Sequence, residues 1–487
     1  MAEFRHGVYT SEVETALQTA PAVDSALPYV VGASKNSFAP RIISSWRQFV
    51  EASGITEGTD DVASADGWHA YSLVSFAYLW FKICGRGDCV MRGIASVDGS
   101  LAQGDIISAI GEIDTIYERT RRLPSLIVVP YFGGNSAIWA AMQSKAEKYG
   151  GRFRAVAIGD IQCTEHAVSG VTPDIISDPA DIVDAKTVAS ESLALCWPYI
   201  GIGNLRFDLS SAAVAVMNRV DGLNGGLPYV SPSNKNCYAT GVYTMPEATL
   251  TRTFDECTGE IVSSNTYYVK NSLGNYLSFG ADLDGATGSS PEYPGATVAK
   301  VQGATGYVWT ITPANSGTIT GKFSFVVSYA GIVEAPLYQS LPEINSALGA
   351  IGIIGALNTV DGWVLWGNNT TAFPGSTDVK DYILAIRRMF NYTQNLFQLY
   401  AQPRIDDPLN RRQLEGVVNS FNQILAGLQG FGALNAASVA IDDERNTTEQ
   451  LIRGVVYFRI KIAPPPPMAE VNGVFEFDVQ GFEASLA

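Results

Sequence analysis

The sequence is poor in histidine, the residue type that carries much catalytic and metal chemistry. Only three histidines, His6, His69 and His166, occur in 487 residues. None has an acidic or cysteine neighbour at a spacing typical of a metal site or a catalytic triad. We therefore predict no catalytic residue, no metal site and no cofactor, and we rank an α/β enzyme of unknown substrate last among the possible functions.

Charge and long apolar runs are also scarce. Charged residues make up 16 % of the chain and hydrophobic residues 46 %, so much of the surface must be uncharged and available for packing. The net charge of −16 argues against binding to nucleic acid or anionic lipid. No apolar run approaches the roughly 18 residues that span a bilayer, and the start MAEFRHGVYT lacks the pattern of a secretory signal. We expect an assembly subunit made in a cytoplasm, with no nucleic-acid partner and no membrane insertion.

The cysteines lack the paired two-residue spacing of a zinc site. Buried, reduced thiols are the simpler interpretation, because free cysteine behaves as a small hydrophobe. A released particle meets an oxidising environment, in which cysteines can form cross-links within or between subunits. The candidate disulfide cysteines are Cys84, Cys89, Cys163, Cys196, Cys237 and Cys257.

Three short motifs suggest binding functions, but each has a simpler structural interpretation. GGNSA at residues 133–137 lacks both the GxGxxG pattern and the lysine of a phosphate-binding loop, so we predict a helix N-cap. The adhesion tripeptide RGD at residues 86–88 is also an ordinary glycine turn. The acidic cluster at residues 442–444 lacks the EF-hand spacing, so we predict a solvated face or a helix start.

The order of strand-like and helix-like patterns predicts an α/β and α+β multidomain fold. Residues 23–236 alternate apolar strand runs, such as LPYVVGAS, with helical patterns, which indicates an α/β body. Residues 237–335 lose the helical period and become rich in Thr, Ser, Gly, Asn and Tyr, which predicts an inserted β-rich module. Residues 336–463 form a C-terminal domain, with a helix at 339–357, a strand at 360–366 and two amphipathic helices at 379–400 and 414–428.

Both ends of the chain have the pattern of extended arms. Residues 1–22 contain the alternating stretch HGVYTSEV, and residues 464–487 begin with four prolines that make a stiff, extended spacer. The run EVNGVFEFDVQ after the prolines alternates as a strand does. A strand held on a rigid spacer can complete the sheet of a neighbour, and such head-to-tail contacts propagate into rings or helices. The alternative is that each arm folds back into its own domain.

Several of these segments, taken in order, resemble phage tail sheath proteins. The resemblance lies in HGVYTSEV, YVSPSN at residues 229–234, GWVLWGNNT at residues 362–370, and DVKDYILAIRRMFNYTQ. It continues through the helix NRRQLEGVVNSFNQILAGLQGFGAL and the final strand, proline and strand layout. The chain is thus similar to the sheaths of contractile phage tails and of related phage-derived injection systems.

The resemblance implies a structural subunit that polymerises around an inner tube and contracts to drive that tube through the host cell envelope. It implies a helical homo-oligomer with an inner tail tube protein, baseplate proteins and tail terminator proteins as partners. The location would be the virion tail, assembled in the host bacterial cytoplasm. The family's fold implies a sheath-type C-terminal α/β domain next to the tube, terminal strand-exchange arms, and inserted domains on the outside.

The resemblance also assigns roles to particular residues. Arm residues donated to neighbouring subunits would be Gly7, Val8, Tyr9, Val13, Val474, Phe475, Phe477 and Val479. The receiving strand would contain Val455, Tyr457, Phe458 and Ile460. Contact with the tube would involve Arg411, Arg412 and Glu415, because weak surface ion pairs can be broken together during contraction. Two alternatives stay open: a virion surface or adhesion protein whose β-rich module binds a host receptor, and a sheath of a phage-derived injection device.

Overall fold

A computed structural model of the chain places most of the body, the strands of the β-rich module and the C-terminal region. It describes residues 23–59, 61–63, 67–161, 168–169, 188–243, 248–263, 266–270, 287–289, 297–303, 306–312, 322–331 and 341–480. The predicted N-terminal arm, including Gly7, Val8, Tyr9 and Val13, lies outside the described residues. Cys163, His6 and His166 also lie outside them.

A six-stranded sheet forms the centre of the body. Five neighbouring strands run parallel, and one strand joins the edge in the antiparallel direction. In spatial order the strands are β2 (Phe38–Ile43), β3 (Cys89–Ala95), β1 (Pro28–Ser34), β5 (Leu126–Val128), β6 (Val156–Asp160) and β8 (Leu193–Cys196). Strand β1 is buried along its whole length, as expected where helices cover both faces of a parallel sheet. The two-residue strands β4 (Leu101–Ala102) and β7 (Val168–Ser169) form a separate parallel pair.

Helices connect or follow these strands, and most of them lie where apolar periodicity predicts a helix. They are α1 (Trp46–Ser53), α2 (Ser72–Ala77), α3 (Gln103–Gly111), α4 (Ile116–Thr120), α5 (Ser136–Glu147) and α6 (Leu209–Leu223). Helix α2 continues into a π-helical turn at Tyr78–Ile83, and a 3₁₀ turn at Glu112–Thr115 joins α3 to α4. A Cβ atom at Gly32 would come within 2.5 Å of the Ser72 hydroxyl oxygen, so glycine lets α2 approach β1 closely.

The apolar run at residues 195–202 predicts a single strand, but the structure divides it between two sheets. The run around residues 195–202 forms β8 in the central sheet and β9 (Tyr199–Ile202) in a small antiparallel sheet with β10 (Leu205–Phe207) and β11 (Gly241–Tyr243). Pro198 lies between the two strands. Because proline has no backbone N–H, it interrupts the ladder of a continuing strand.

Residues 248–331 contribute six antiparallel strands. They are β12 (Ala248–Ser263), β13 (Thr266–Lys270), β14 (Thr287–Ser289), β15 (Thr297–Gly303), β16 (Gly306–Thr312) and β17 (Lys322–Gly331). Their spatial order is β14, β17, β12, β13, β16, β15. The long strand β12 pairs with β17 on one side and with β13 on the other. The strands predicted at YVWTITP and GKFSFVVSYAG coincide with β16 and β17.

The helix predicted over residues 339–357 is wrong in its second half. Helix α7 (Leu341–Ala347) is followed by a 3₁₀ turn at Gly349–Ile351, and β18 (Gly355–Thr359) then pairs antiparallel with β19 (Gly362–Trp366). Gly352, at φ 77°, adopts a left-handed backbone conformation that ends the helical stretch. The apolar residues of this hairpin belong to the same core cluster as the central sheet.

The C-terminal region has its own core. Its elements are α8 (Val379–Tyr382), α9 (Leu384–Ala401), α10 (Arg411–Gly430), β20 (Ala436–Ile441), α11 (Thr448–Ile452) and β21 (Phe458–Ala463), with a 3₁₀ turn at Gln402–Arg404. Phe421 of α10 is fully buried at the centre of a second apolar cluster. Helix α9 is fixed to the body through Asn395, whose side-chain amide bonds both the N–H and the carbonyl of Arg154.

Candidate assembly surfaces

The β20–β21 hairpin is a two-stranded sheet that only partly covers the C-terminal core. Ile460 of β21 lies opposite Val439 of β20. The side chains of Phe458, Ile460 and Ile462 pack against the core cluster but stay half-exposed. The ring of Phe458 lies 6.1 Å from that of Phe397, measured between centroids. Because an isolated two-stranded sheet is marginally stable, an added strand would complete this cover.

The outer edge of β20 is already occupied by a side chain of its own chain. The Asn422 amide donates to the Val439 carbonyl over 3.1 Å, and its oxygen accepts from the Val439 N–H over 2.9 Å. Both backbone groups of Val439 therefore point away from β21. In an antiparallel ladder the residue opposite such a position also points its N–H and carbonyl outward. Ile460, and by the same alternation Phe458 and Ile462, thus present backbone groups at the outer edge of β21.

The segment after β21 leaves the hairpin as an exposed chain. From Pro464 to Asp478 it forms no helix or strand. Its apolar side chains are largely exposed, and the side chain of Phe475 is 97 % exposed. The other exposed apolar residues of this segment are Met468, Val471, Val474, Phe477 and Val479. The strand predicted for residues 470–480 is therefore absent from this single chain.

The alternation of the C-terminal segment matches the two faces of β21. Phe475, Phe477 and Val479 would share one face of an extended strand, and Glu476 and Asp478 the other. On β21 the apolar residues face the core. Arg459 and Lys461 lie on the opposite, exposed face. A strand with the pattern of residues 475–479 at this edge would extend the apolar face and bring carboxylates to the basic face.

Strand β21 begins three residues after Val455, the first residue of the strand predicted to receive an arm. Val455 and Tyr457 precede β21, whereas Phe458 and Ile460 lie within it. Tyr457 is held by its own chain, because its N–H donates to the Asn446 side chain over 2.8 Å and its carbonyl accepts from the Asp442 N–H over 3.0 Å. Both of its backbone groups are therefore bonded within its own chain and do not face the outer edge of β21.

The three charged residues predicted to contact the tube lie in the exposed first turns of α10. Asn410 caps this helix by accepting from the Gln413 N–H over 2.9 Å. Arg411 and Glu415 form an ion pair of 2.7 Å on the surface, and Arg412 is exposed beside them. Two arginines in the first turn oppose the positive end of the helix dipole. The i,i+4 ion pair with Glu415 partly offsets this effect for Arg411.

Four of the six candidate disulfide cysteines are free and buried. Cys84, Cys89, Cys196 and Cys237 lie inside the body, so in this fold none of them reaches a neighbouring subunit. Burial raises the pKa of the Cys84 thiol to about 12 and that of Cys237 to about 11, which suppresses the reactive thiolate. This corrects the cross-link proposal for these four. Cys257 belongs to β12.

The other singled-out motifs have structural roles. Asn135 of GGNSA caps α5 by accepting from the Ala137 N–H over 3.0 Å, as predicted. In the RGD tripeptide, Asp88 is paired with Arg122 at 3.0 Å. His69 is buried between the rings of Tyr78 and Phe207. Within the acidic cluster, Asp442 and Glu444 both bind Arg459.

Two searches over the described residues bear on metal and membrane binding. In the ranges with coordinates, histidine, cysteine and carboxylate side chains form no group of three or more that could hold a metal ion. The helices described in those ranges include none that combines the length and apolar character of a membrane span.

Comparison with known proteins gives two curated relatives. The chain is 27 % identical over 179 residues to the tail sheath protein of Burkholderia phage BcepMu, covering 36 % of this chain and 35 % of the relative. It is 29 % identical over 133 residues to the major tail sheath protein of Serratia phage KSP20, covering 26 % of this chain and 31 % of the relative. The matches thus span about a third of these relatives, and no family model matches the chain.

The fold extends the likeness to nearly the whole chain. The helical sheath of the anti-feeding prophage in its contracted state aligns with a TM-score of 0.55 at 15 % identity, covering 97 % of this chain and 99 % of the other. The chain is thus similar to contractile tail sheath proteins, in part of its sequence and over nearly all of its fold. The family resemblance and the mixed α/β fold predicted from the sequence are confirmed. The sequence did not predict strand β20 with Asn422 bonded to its edge. The polar Asn422, adjoining buried Phe421 on an amphipathic helix, is the signal that could have indicated it.

Proposed function

We propose that this chain is the structural subunit of a contractile sheath, and that it polymerises by donating its C-terminal arm to a neighbouring copy. The relatives are named as tail sheath proteins, and the similar solved assembly is a helical sheath in the contracted state. An oligomeric sheath fits a surface with few charges. The proposal rests on one observation. The outer edge of β21 is open, and the segment at residues 464–478 that could pair with such an edge is exposed in the same chain.

The proposed contact is β-strand addition. Residues 471–479 of one copy pair with the outer edge of β21 in another, where the N–H and carbonyl groups of Phe458, Ile460 and Ile462 point outward. Backbone hydrogen bonds supply affinity, and side-chain alternation sets the register. Phe475 and Phe477 then cover the half-exposed core, which removes apolar surface from water at about 25 cal/mol per Å². Glu476 and Asp478 lie beside Arg459 and Lys461, which disfavours a shift by one residue.

The prolines between acceptor and donor make this contact intermolecular. Residues 464–467 favour an extended conformation, so the segment that follows is held away from the β21 edge of its own copy. Donor and acceptor surfaces differ, so each copy has one of each and the contact repeats head to tail. We propose that residues 1–22 form a second arm, with Gly7, Val8, Tyr9 and Val13 as its contacts.

Contraction would use contacts of two strengths. The arms hold neighbouring copies together, while the exposed start of α10, with Arg411, Arg412 and Glu415, grips an inner tail tube protein. Exposed ion pairs contribute only about 0–1 kcal/mol each, so they separate without unfolding either partner. A stretched sheath held by a kinetic barrier would then shorten and drive the tube through the cell envelope. Baseplate and tail terminator proteins would close its two ends, in a virion tail or an injection device assembled in the host cytoplasm.

Deletion of the C-terminal arm tests the proposal. The full-length chain and a chain ending at Pro467 would be purified and examined by negative-stain electron microscopy. We expect hollow striated cylinders from the full-length chain and folded monomers from the shortened one, with unchanged circular dichroism. The double variant Phe475→Asp/Phe477→Asp should behave like the deletion, whereas the control Phe431→Asp, at another exposed phenylalanine, should still assemble. Cylinders formed by the shortened chain would refute arm donation.

A further inference from the structure

Two buried carboxyl groups of the body share one serine hydroxyl. Asp160 ends β6, and Asp208 immediately precedes α6 and caps it. The Ser210 hydroxyl oxygen lies 2.6 Å from Oδ2 of Asp160 and 2.7 Å from Oδ2 of Asp208. Asp208 is fully buried and Asp160 nearly so. Both distances are those of strong hydrogen bonds.

The number of available protons decides how these contacts are made. A serine hydroxyl has one proton and can donate to only one of the two carboxyl groups. The other carboxyl group must then donate a proton of its own to the serine oxygen. Two ionised carboxylates around one hydroxyl would leave one pair of acceptor atoms 2.6–2.7 Å apart with no proton between them. One of the two aspartic acids is therefore protonated in this arrangement.

The surrounding donors show which carboxyl group is ionised. Oδ2 of Asp208 also accepts from the Ser211 N–H over 3.0 Å and from the Ser211 hydroxyl over 2.6 Å. With Ser210 it accepts three hydrogen bonds at the positive end of a 15-residue helix, which favours the carboxylate. Asp160 receives only the Ser210 N–H, at 3.1 Å to Oδ1. We infer that Asp160 is a neutral acid whose O–H donates to Ser210, and that Ser210 in turn donates to ionised Asp208.

The groups around the pair agree with this assignment. Asp160 is packed against α5, β8 and the start of α6, from which Trp139, Cys196 and Ser210 contact or adjoin it. The titratable groups facing it are Asp208 and the Cys196 thiol. Among the described residues, no basic group contributes to the pKa shift of either carboxyl group. Burial, and then the charge of Asp208, raise the pKa of Asp160 well above its ordinary value.

The shared proton makes the attachment of α6 to the central sheet sensitive to pH. An aspartic acid in the unfolded chain releases its proton near pH 3.9, whereas folded Asp160 retains it. Folding is therefore favoured at low pH, and its equilibrium constant falls as pH rises toward the folded pKa of Asp160. The slope for one retained proton is about tenfold per pH unit. This dependence is opposite to that of an ordinary ion-paired carboxylate.

Infrared spectroscopy of the full-length chain tests the assignment. At pH 7 the difference spectrum between the parent and Asp160→Asn should contain the C=O band of a protonated carboxylic acid. The amide introduced by this substitution can donate to Ser210 in place of the acid, so the variant should fold. The control Asp98→Asn, at an exposed aspartate, should give no acid band. From about pH 5 up to the folded pKa of Asp160, the unfolding constant of the parent should rise about tenfold per pH unit relative to Asp160→Asn.

Two spectroscopic results would overturn the assignment of the proton to Asp160. An acid band that persists in Asp160→Asn and is lost in Asp208→Asn would place the proton on Asp208 and overturn the inference. The absence of any acid band at pH 7 would overturn it as well. Where Asp160→Asn does not fold, the parent alone decides, because its acid band must vanish when the chain is unfolded in urea at the same pH.

Discussion

Arg388 and Asp221 form an ion pair of 2.5 Å in which each side chain is only 2 % exposed. Asp221 lies near the end of α6 in the body, and Arg388 lies on α9 of the C-terminal region. The same guanidinium also donates to the Ser25 carbonyl over 3.1 Å. The pair thus fixes the C-terminal region to the body and to the first described residues of the chain.

Removal of Arg388 should destabilise the chain strongly. The Arg388→Met variant leaves the Asp221 carboxylate buried without its cation, which costs about 3–5 kcal/mol. The measurement is the free energy of unfolding in urea. The control is Arg47→Met, because Arg47 pairs with Glu51 on the surface and its loss should cost less than about 1 kcal/mol. In the double variant Arg388→Met/Asp221→Leu most of the loss should be recovered, and equal losses in Arg388→Met and Arg47→Met would contradict the expected effect of burial.

Phe421 should carry much of the stability of the C-terminal core. Its ring is fully buried and lies 5.0 Å from Phe397 and 5.3 Å from Tyr400, between centroids. Truncation in Phe421→Ala should cost about 3–5 kcal/mol, through lost burial and the cavity left behind. The same truncation in Phe431→Ala, where the ring is 68 % exposed, should stay within about 0.5 kcal/mol. Thermal unfolding of the two variants side by side gives the comparison, and similar melting temperatures would refute this core assignment.

Charge reversal at the start of α10 should separate tube binding from sheath assembly. In Arg411→Glu/Arg412→Glu we expect cylinders to form normally and co-sedimentation with tube protein to fall, because both side chains are exposed and the only ion pair lost, Arg411–Glu415, lies on the surface. Binding by the parent should weaken with added salt, since exposed charges are screened. The control is Arg47→Glu/Arg453→Glu, two exposed arginines elsewhere. Unchanged tube binding in the first variant would remove this helix from the contact.

The buried cysteines should resist alkylation in the folded chain. With its pKa raised to about 11, Cys237 is ionised in only about one molecule per thousand at pH 8, and burial also blocks access. A Cys163→Ser/Cys257→Ser variant should therefore react slowly with iodoacetamide at pH 8 and rapidly after denaturation. Raising the pH should speed the reaction, because the thiolate fraction rises. Rapid labelling of the folded variant at pH 8 would show that these thiols are accessible.

The periodic segments were predictable because their side chains carry the signal. Strand β1 and helices α5, α9 and α10 lie where apolar periodicity predicted them, since burial of one face or both faces selects those residues. The helix predicted through residue 357 failed because Ala356 and Leu357 fit a helix and a strand equally well. Pairing with β19, which is a non-local contact, decided for the strand.

By itself, the sequence determined the likeness to tail sheath proteins, through the order of its motifs, and its scarcity of charge and histidine predicted an assembly subunit. Only the tertiary structure decided which strand edge is open, because Asn422 and Val439 meet through a turn that no local pattern specifies. The tertiary structure likewise brought Asp160 close to Asp208 and Arg388 close to Asp221. The partners of these buried polar groups lie far away in the sequence, whereas local periodicity indicates only which residues are buried.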